Sequence, residues 1–253
     1  MTSRHTKILE ILTTAQRIEV TVLSEMLKVS QVTVRKDLDF LEGRGLINRE
    51  HGFASLETVD DAGKSLAFRY SVKRRIAKAA AETVEEGETV MIESGSCCAL
   101  LAEELTNTKR DVTIVTNSIF IANHVRNAPC GKIILLGGYY QNDSQVMVGS
   151  ITVKCAEIFF SDKFFIGVDG FTDKLGFTGK DHHRAQTVRG LAEQASQVIV
   201  LTESDKFFRH GVVGIVNTND VAAVYTDDRI PQEVESFLLE NEVQLVKVNS
   251  SSE

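Results

Sequence analysis

The feature that most constrains this chain is a series of short apolar runs separated by stretches with helical spacing. Runs rich in β-branched and aromatic residues recur at 88–92 (ETVMI), 111–116 (DVTIVT), 132–138 (KIILLGG), 163–170 (KFFIGVDG), 197–202 (QVIVLT), 222–227 (AAVYTD) and 243–248 (VQLVKV). Between them, 98–105, 119–126, 151–159, 185–195 and 232–240 carry helical patterns. A further helix is predicted just before the first run, with Ile76, Ala79, Ala80 and Val84 on one face and Gly87 ending it. Near-continuous apolar strands require a sheet covered on both faces. Strand-then-helix alternation makes that sheet mainly parallel, so the larger part of the chain reads as an α/β domain.

The first 57 residues follow a different pattern. Ile8, Leu9, Ile11 and Leu12 form the stripe of an amphipathic helix. Residues 16–20 read as an extended link, and Thr21 stands as N-cap of a short helix carrying Val22, Leu23, Met26 and Leu27. After a break at Lys28-Val29, Ser30 caps a third helix whose buried stripe is Val34, Leu38 and Leu41, ended by Gly43 and Gly45. Gln31, Thr33, Arg35 and Lys36 lie off that stripe in the first turns and, with Ser30 before them, are the expected DNA contacts of this segment. Two short helices joined this way match a helix-turn-helix, whose second helix enters the DNA major groove by its N-terminal turns. Arg and Lys suit guanine edges or phosphates, and Gln suits adenine. A strand at 46–49, a turn at His51-Gly52 and a return strand at 54–57 add a wing that puts Arg49 and His51 near the DNA backbone or minor groove.

Charge placement agrees with this division. The net charge is −7, yet residues 1–54 hold 8 Lys/Arg against 7 Asp/Glu, while the rest hold 20 against 28. Arg35, Lys36, Arg44, Arg49 and His51 are strung along one short segment. An acidic remainder limits indiscriminate DNA binding, which depends on phosphate neutralisation.

The stretch VSQVTVRKDLDFLEGRGLINREHGFA (29–54) closely resembles the signature of the DeoR family of bacterial transcription regulators, with Phe53 in place of the second glycine of its closing H-G-G-A. In the larger part, IESGSCCALLAEEL, IVTNS, ILLGG, DKFFIGVDGF, GFTG and LTESDKF resemble the successive motifs of the DeoR-type sensor domain. That domain is similar to sugar-phosphate isomerases such as ribose-5-phosphate isomerase and usually senses a phosphorylated sugar. The resemblance implies a regulator, expected to be a repressor of carbohydrate-metabolism genes, released from operator DNA by such an effector. A homo-oligomer on repeated or palindromic half-sites is expected, since one module gives little affinity alone.

Ligands of parallel sheets bind at the carboxyl ends of the strands. The predicted effector residues are Glu93, Gly95, Ser96 and Cys97, where a helix start offers backbone N–H groups to an anion. Thr116, Asn117 and Ser118 join them after the next strand. Gly137 and Gly138 lack a Cβ and let backbone approach a ligand. Asp169, Lys180, Arg184 and Lys206 complete the set. The family's D-S-G-T-T reads Glu93-Ser94-Gly95-Ser96-Cys97 here, so a thiol replaces a hydroxyl. Lys180-Asp181-His182-His183-Arg184 invites a metal, but adjacent His residues on a helix point about 100° apart and do not converge on one ion. No metal and no cofactor are expected. A rival reading is an isomerase with a DNA-binding head, needing a tuned carboxylate base among Glu93, Asp169 and Asp181. A third is a DNA-binding factor that has lost its effector response.

The remaining bounds are simple. No apolar run reaches the roughly 18–20 residues needed to span a bilayer, and the N-terminus lacks a signal-peptide pattern. Cys97, Cys98, Cys130 and Cys155 show no C-x-x-C spacing, which fits reduced thiols and a cytoplasmic location. The expected division is a winged helix-turn-helix over 1–57, a linker over 58–71 and an effector-sensing and oligomerisation domain over 72–253.

Overall fold

Two units emerge, Met1–Ser71 and Val72–Glu253. The computed structural model describes residues 1–56 and 61–250, with Asp61 described by its backbone only. Glu57 of the predicted return strand, 58–60 of the predicted linker and 251–253 of the Ser-rich tail lie outside the described residues.

In the first unit, α1 (Ser3–Ala15), β1 (Arg17–Glu19), α2 (Val20–Leu27), α3 (Gln31–Glu42), β2 (Asn48–Glu50) and β3 (Phe53–Ser55) follow in order. The core is Ile8, Leu9, Leu12, Leu23, Val34, Leu38, Leu41 and Leu46, all with no exposed area. Full burial of such a side chain stabilises by about 1.5–3 kcal/mol relative to exposure. Residues 16–20, read as a link, contribute β1, which pairs antiparallel with β3 and widens the wing to three strands, ordered β1-β3-β2. The predicted cap Thr21 is corrected: α2 begins at Val20 with Glu19 at the N-cap position and no side-chain cap. Val20 and Leu23 face inward while Val22 and Met26 are exposed, which reverses part of the predicted stripe. Ser30 does cap α3, its Oγ accepting from Thr33 N–H at 3.2 Å. Gly45, at φ +68, supplies the left-handed residue after α3. The stretch read as a linker holds a helix, α4 (Asp61–Ala67), in which Leu66 and Ala67 are buried.

Helix α5 (Tyr70–Ala81) leads into the second unit. There follow β4 (Thr89–Ile92), α6 (Ser96–Thr108), β5 (Thr113–Thr116), α7 (Ile119–His124), β6 (Lys132–Leu135), β7 (Tyr139–Gln141), β8 (Val146–Val148), α8 (Ser150–Ala156) and β9 (Ser161–Ile166). Next come β10 (Gly170–Thr172), β11 (Gly176–Gly179), α9 (His182–Ala192), β12 (Ala195–Leu201), β13 (Val213–Val216), β14 (Val221–Asp227), α10 (Gln232–Glu240) and β15 (Gln244–Val248). Seven of these strands form one sheet, ordered β15-β14-β12-β9-β4-β5-β6, with every pairing parallel. Its interior strands bury Val90–Ile92, Phe164–Ile166 and Val198–Leu201, as the apolar runs require. The small pieces β7/β8 and β10/β11/β13 form separate antiparallel sheets.

The order fixes where a ligand belongs. From β4 the chain proceeds outward through β5 to β6; from β9 it proceeds outward the other way through β12 and β14 to β15. The direction reverses between the neighbours β4 and β9, so the switch-point crevice lies outside their carboxyl ends.

Candidate functional sites

The recognition helix α3 is held by charge as well as by its apolar stripe. Asp37, 6% exposed, accepts from both the Nε and Nη2 of Arg4 and lies 3.0 Å from His5 Nε2. Thr2 N–H donates to His5 Nδ1 at 3.2 Å, so the neutral ring accepts at Nδ1 and donates from Nε2. Burial lowers the His5 pKa, outweighing the pull of Asp37. Burial works to raise the Asp37 pKa, but the hydrogen bonds and charge of Arg4 and His5 leave it below its ordinary value. His5 also stacks on Phe40 at 4.5 Å between ring centroids. Sequence reading missed Arg4 and His5 because nothing in local periodicity pairs residue 5 with residue 37.

With α3 anchored by that face, Gln31, Arg35 and Lys36 are exposed and Thr33 half-buried. Arg35 lies over Gln31, 3.5 Å from its Oε1. Thr33 Oγ1 is 2.9 Å from Ser30 Oγ, so both hydroxyls serve the helix start as well as any ligand. In the wing, Arg49 pairs with Asp39 of α3, and its N–H donates to Glu42 at 3.0 Å. His51 is exposed at the turn. The turn's left-handed residue is Gly52, at φ +80, so Phe53 occupies an ordinary strand position. The Arg17 guanidinium lies 4.3 Å above the Phe53 ring and pairs with Glu50 at 3.0 Å. Arg44 lies over Phe40 at 4.9 Å.

At the switch point of the second unit, three predicted residues converge. Arg184, on α9, donates from Nε and Nη2 to the two oxygens of Glu93 at 2.7 and 2.8 Å, from Nη2 to Gly167 O at 2.9 Å, and from Nη1 to Asp169 at 3.4 Å. These four bonds leave one N–H of the guanidinium, which has five. Burial opposes the charge, but Glu93 and Asp169 outweigh it and raise the Arg184 pKa. Glu93, fully buried, also accepts from Ser94 Oγ at 2.7 Å. An anion seeking Arg184 therefore competes with two carboxylates already in place. Gly95, at φ +116, packs its backbone on Gly167: a Cβ at Gly167 would lie 2.9 Å from Ser94 O. The two post-strand segments thus touch backbone to backbone, and Gly167 is a positioning residue that the sequence reading passed over.

Asp181 caps α9, accepting from Arg184 N–H at 2.6 Å and from Gln141 Nε2 at 3.1 Å. Burial acts to raise its pKa, but those donors and neighbouring charges lower it. The rings of His182 and His183 are exposed and lie 82° apart. Lys180 is exposed; its backbone N–H, not its ammonium, meets Asp169, at 3.1 Å. Lys206 is half-buried in the short 3-10 helix Ser204–Phe208. Among the described residues neither lysine has an ion-pair partner.

Cys97 points into the wall. Its thiol is buried and donates to Glu203 Oε2 at 3.8 Å, and Glu203 pairs with the buried Lys73 of α5 at 3.1 Å. Burial first, and the Glu203 charge second, push the Cys97 pKa well up, which disfavours a nucleophilic thiolate. Thr116, the last residue of β5, and Asn117 and Ser118 just beyond it are buried. Ser118 caps α7, accepting from Ile121 N–H at 3.2 Å. Asn117 Nδ2 donates to Met147 O at 2.8 Å, while its Oδ1 is buried without a partner. The absent side chain of Gly138 makes room for Thr152, whose Oγ1 would lie 1.9 Å from a Cβ there. Gly137 is exposed, and the nearest neighbour of a Cβ there would be Cys155 Sγ at 4.0 Å.

Both units match families of known proteins. Residues 4–59 match the model of the DeoR-like helix-turn-helix domain, and residues 69–228 that of the DeoR C terminal sensor domain. The glycerol-3-phosphate regulon repressor of Escherichia coli (strain K12) is 30% identical over 247 residues, covering 96% of this chain and 98% of the relative. A putative aga operon transcriptional repressor of Escherichia coli O157:H7 is 29% identical over 251 residues, covering 97% and 93%. Among solved structures, ribose 5-phosphate isomerase A of Methanocaldococcus jannaschii shares 16% identity over 55% of each chain, with a TM-score of 0.41. No described helix is long and apolar enough to cross a membrane. The chain belongs to the DeoR family of transcriptional regulators.

Proposed function

We propose that this protein represses genes of carbohydrate metabolism, binding operator DNA as a homo-oligomer through its winged helix-turn-helix and releasing it when a phosphorylated sugar occupies the switch-point crevice. The observation that carries this reading is the Glu93–Arg184–Asp169 cluster at the carboxyl ends of β4 and β9. It lies where parallel sheets take ligands, in a domain that matches a sensor model. The partly exposed Asp169 is an acceptor for sugar hydroxyls, while Lys180 and Lys206 are cations for a phosphate. The relative's name, a glycerol-3-phosphate regulon repressor, supports a small phosphate ester.

Coupling between effector and operator is reciprocal by linkage. Helix α5, which starts at Tyr70 and carries Lys73, is pinned to the crevice wall by the Lys73–Glu203 pair. A shift of that wall therefore acts on the helix that continues from the DNA-binding unit. An isomerase activity is disfavoured, because the carboxylates that would serve as base are occupied. Glu93 is held by Arg184 and Ser94, Asp169 by Lys180 N–H and Arg184, and Asp181 by the start of α9.

One observation favours a second effector class. Arg184 is nearly saturated by Glu93, Asp169 and Gly167 O, so it offers an anion little, which suits an unphosphorylated sugar or polyol. The test is fluorescence anisotropy on DNA from upstream of the protein's own gene, with sugar phosphates and their unphosphorylated parents. Release by one ester alone supports the first class; release by a parent alone supports the second. Specific binding that no ligand weakens overturns the effector reading and leaves a constitutive DNA-binding factor. Turnover of any ester supports the isomerase.

A further inference from the structure

The outward face of the recognition helix has a feature that none of the predicted DNA contacts includes. The buried face of α3 is Val34, Asp37, Leu38 and Leu41. At about 100° per residue, the position diametrically opposite the centre of that face in the first turn is Val32. Val32 is 61% exposed. Gln31 precedes it, and Arg35 and Lys36 stand one turn on, all exposed. Asp39, a further turn along the same side, is tied to Arg49 of the wing. The helix therefore presents, at the apex of its DNA-reading end, one branched aliphatic side chain framed by an amide and two cations.

Valine in a helix holds essentially one χ1 rotamer, so its two methyl groups form a rigid knob of known direction. Water is a poor partner for it. The major groove displays hydrogen-bonding groups on every base pair but only one apolar group, the C5-methyl of thymine. We propose that Val32 is a specificity-determining residue that packs on a thymine C5-methyl and so fixes an A·T pair at one position of the bound sequence. The proposal rests on DNA reading by α3 and is independent of the effector.

Full-length protein is used to select its preferred duplex from a random-sequence library. Each thymine of that duplex is then replaced in turn by uracil, which lacks only the methyl group. At one thymine in the contacted sequence the wild type is expected to lose about fourfold in affinity, the fold-change equivalent of exposing one methyl group. V32A is expected to bind the thymine duplex as weakly as the wild type binds the uracil duplex, and to lose less than twofold on the same replacement. The effect should not vary with salt, whereas K36A should reduce the salt dependence of binding. Val32 is exposed, so V32A should keep the wild-type far-UV circular dichroism and melting curve. The proposal is overturned if no uracil replacement weakens the wild type, if V32A stays as sensitive as wild type, or if selection enriches no sequence. The last result also removes sequence-specific reading by α3, while the first two leave it intact.

Discussion

Replacing Arg184 with methionine should weaken the sensor unit strongly, and replacing Glu93 as well should restore much of the loss. In R184M the fully buried Glu93 loses two charge-assisted hydrogen bonds, at 2.7 and 2.8 Å, and Gly167 O loses its donor at 2.9 Å. Each bond to a charged group contributes about 1.5–3 kcal/mol, and leaving one member of a buried pair alone costs about 3–5 kcal/mol. The remaining Ser94 hydroxyl offsets part of this. The expected loss is therefore about 3–4 kcal/mol, or a fall in Tm of about 6–16 °C for a unit of this size. R184M/E93Q removes the stranded charge and should return to within about 1–2 kcal/mol of wild type. The assay is urea unfolding at neutral pH followed by far-UV circular dichroism. R184M within about 1 kcal/mol of wild type, or a double variant as unstable as R184M, would refute the view that this arginine neutralises Glu93.

Arg35→Ala should weaken binding to the preferred duplex by about 10–100-fold with an unchanged circular dichroism spectrum, as befits an exposed base-reading arginine; an equal loss on unrelated DNA would mark a phosphate contact instead. The DNA-binding unit should lose stability as pH falls below about 6.5, because His5 is held neutral in the fold with a lowered pKa, and again below about 3.8, where Asp37 takes up its proton. His5→Gln should abolish the first step in a pH series of thermal melts, and an unchanged first step would mean that His5 does not carry it. Thiol titration of the native protein should find Cys130 and Cys155 reactive and Cys97 and Cys98 protected, with all four reacting in denaturant; rapid labelling of native Cys97 would contradict its burial against Glu203.

Much of the architecture was legible because it is written in local periodicity. The runs at 88–92, 163–170 and 197–202 announced interior parallel strands, since a strand covered on both faces needs apolar residues at every position. Ser30, Gly45 and the stripe of Val34, Leu38 and Leu41 marked the recognition helix for the same kind of reason: caps and stripes depend on neighbours within a turn or two. Elements of three or four residues were missed, among them β1, β7, β8, β10, β11 and β13. Segments such as GFT and VMV are too short to show a period, and they become strands only because a distant segment offers its backbone. For α2 the spacing leaves open which side is covered: Val22 and Met26 fit a helical stripe, but the segments packed on this short helix cover Val20 and Leu23 instead.

The sequence by itself determined which residue types stand at the helix start and strand ends, and hence the family, the DNA-reading helix and the general place of the crevice. Tertiary structure alone decided the partners of the charges. Asp37 meets Arg4 and His5 across 32 or 33 residues, Arg184 meets Glu93 across 91, and Cys97 meets Glu203 across 106. Such pairings turn an arginine from a free anion ligand into the counter-ion of a buried carboxylate. Periodicity reports which way a side chain points from its own backbone, whereas its charge partner is set by how distant segments close on one another.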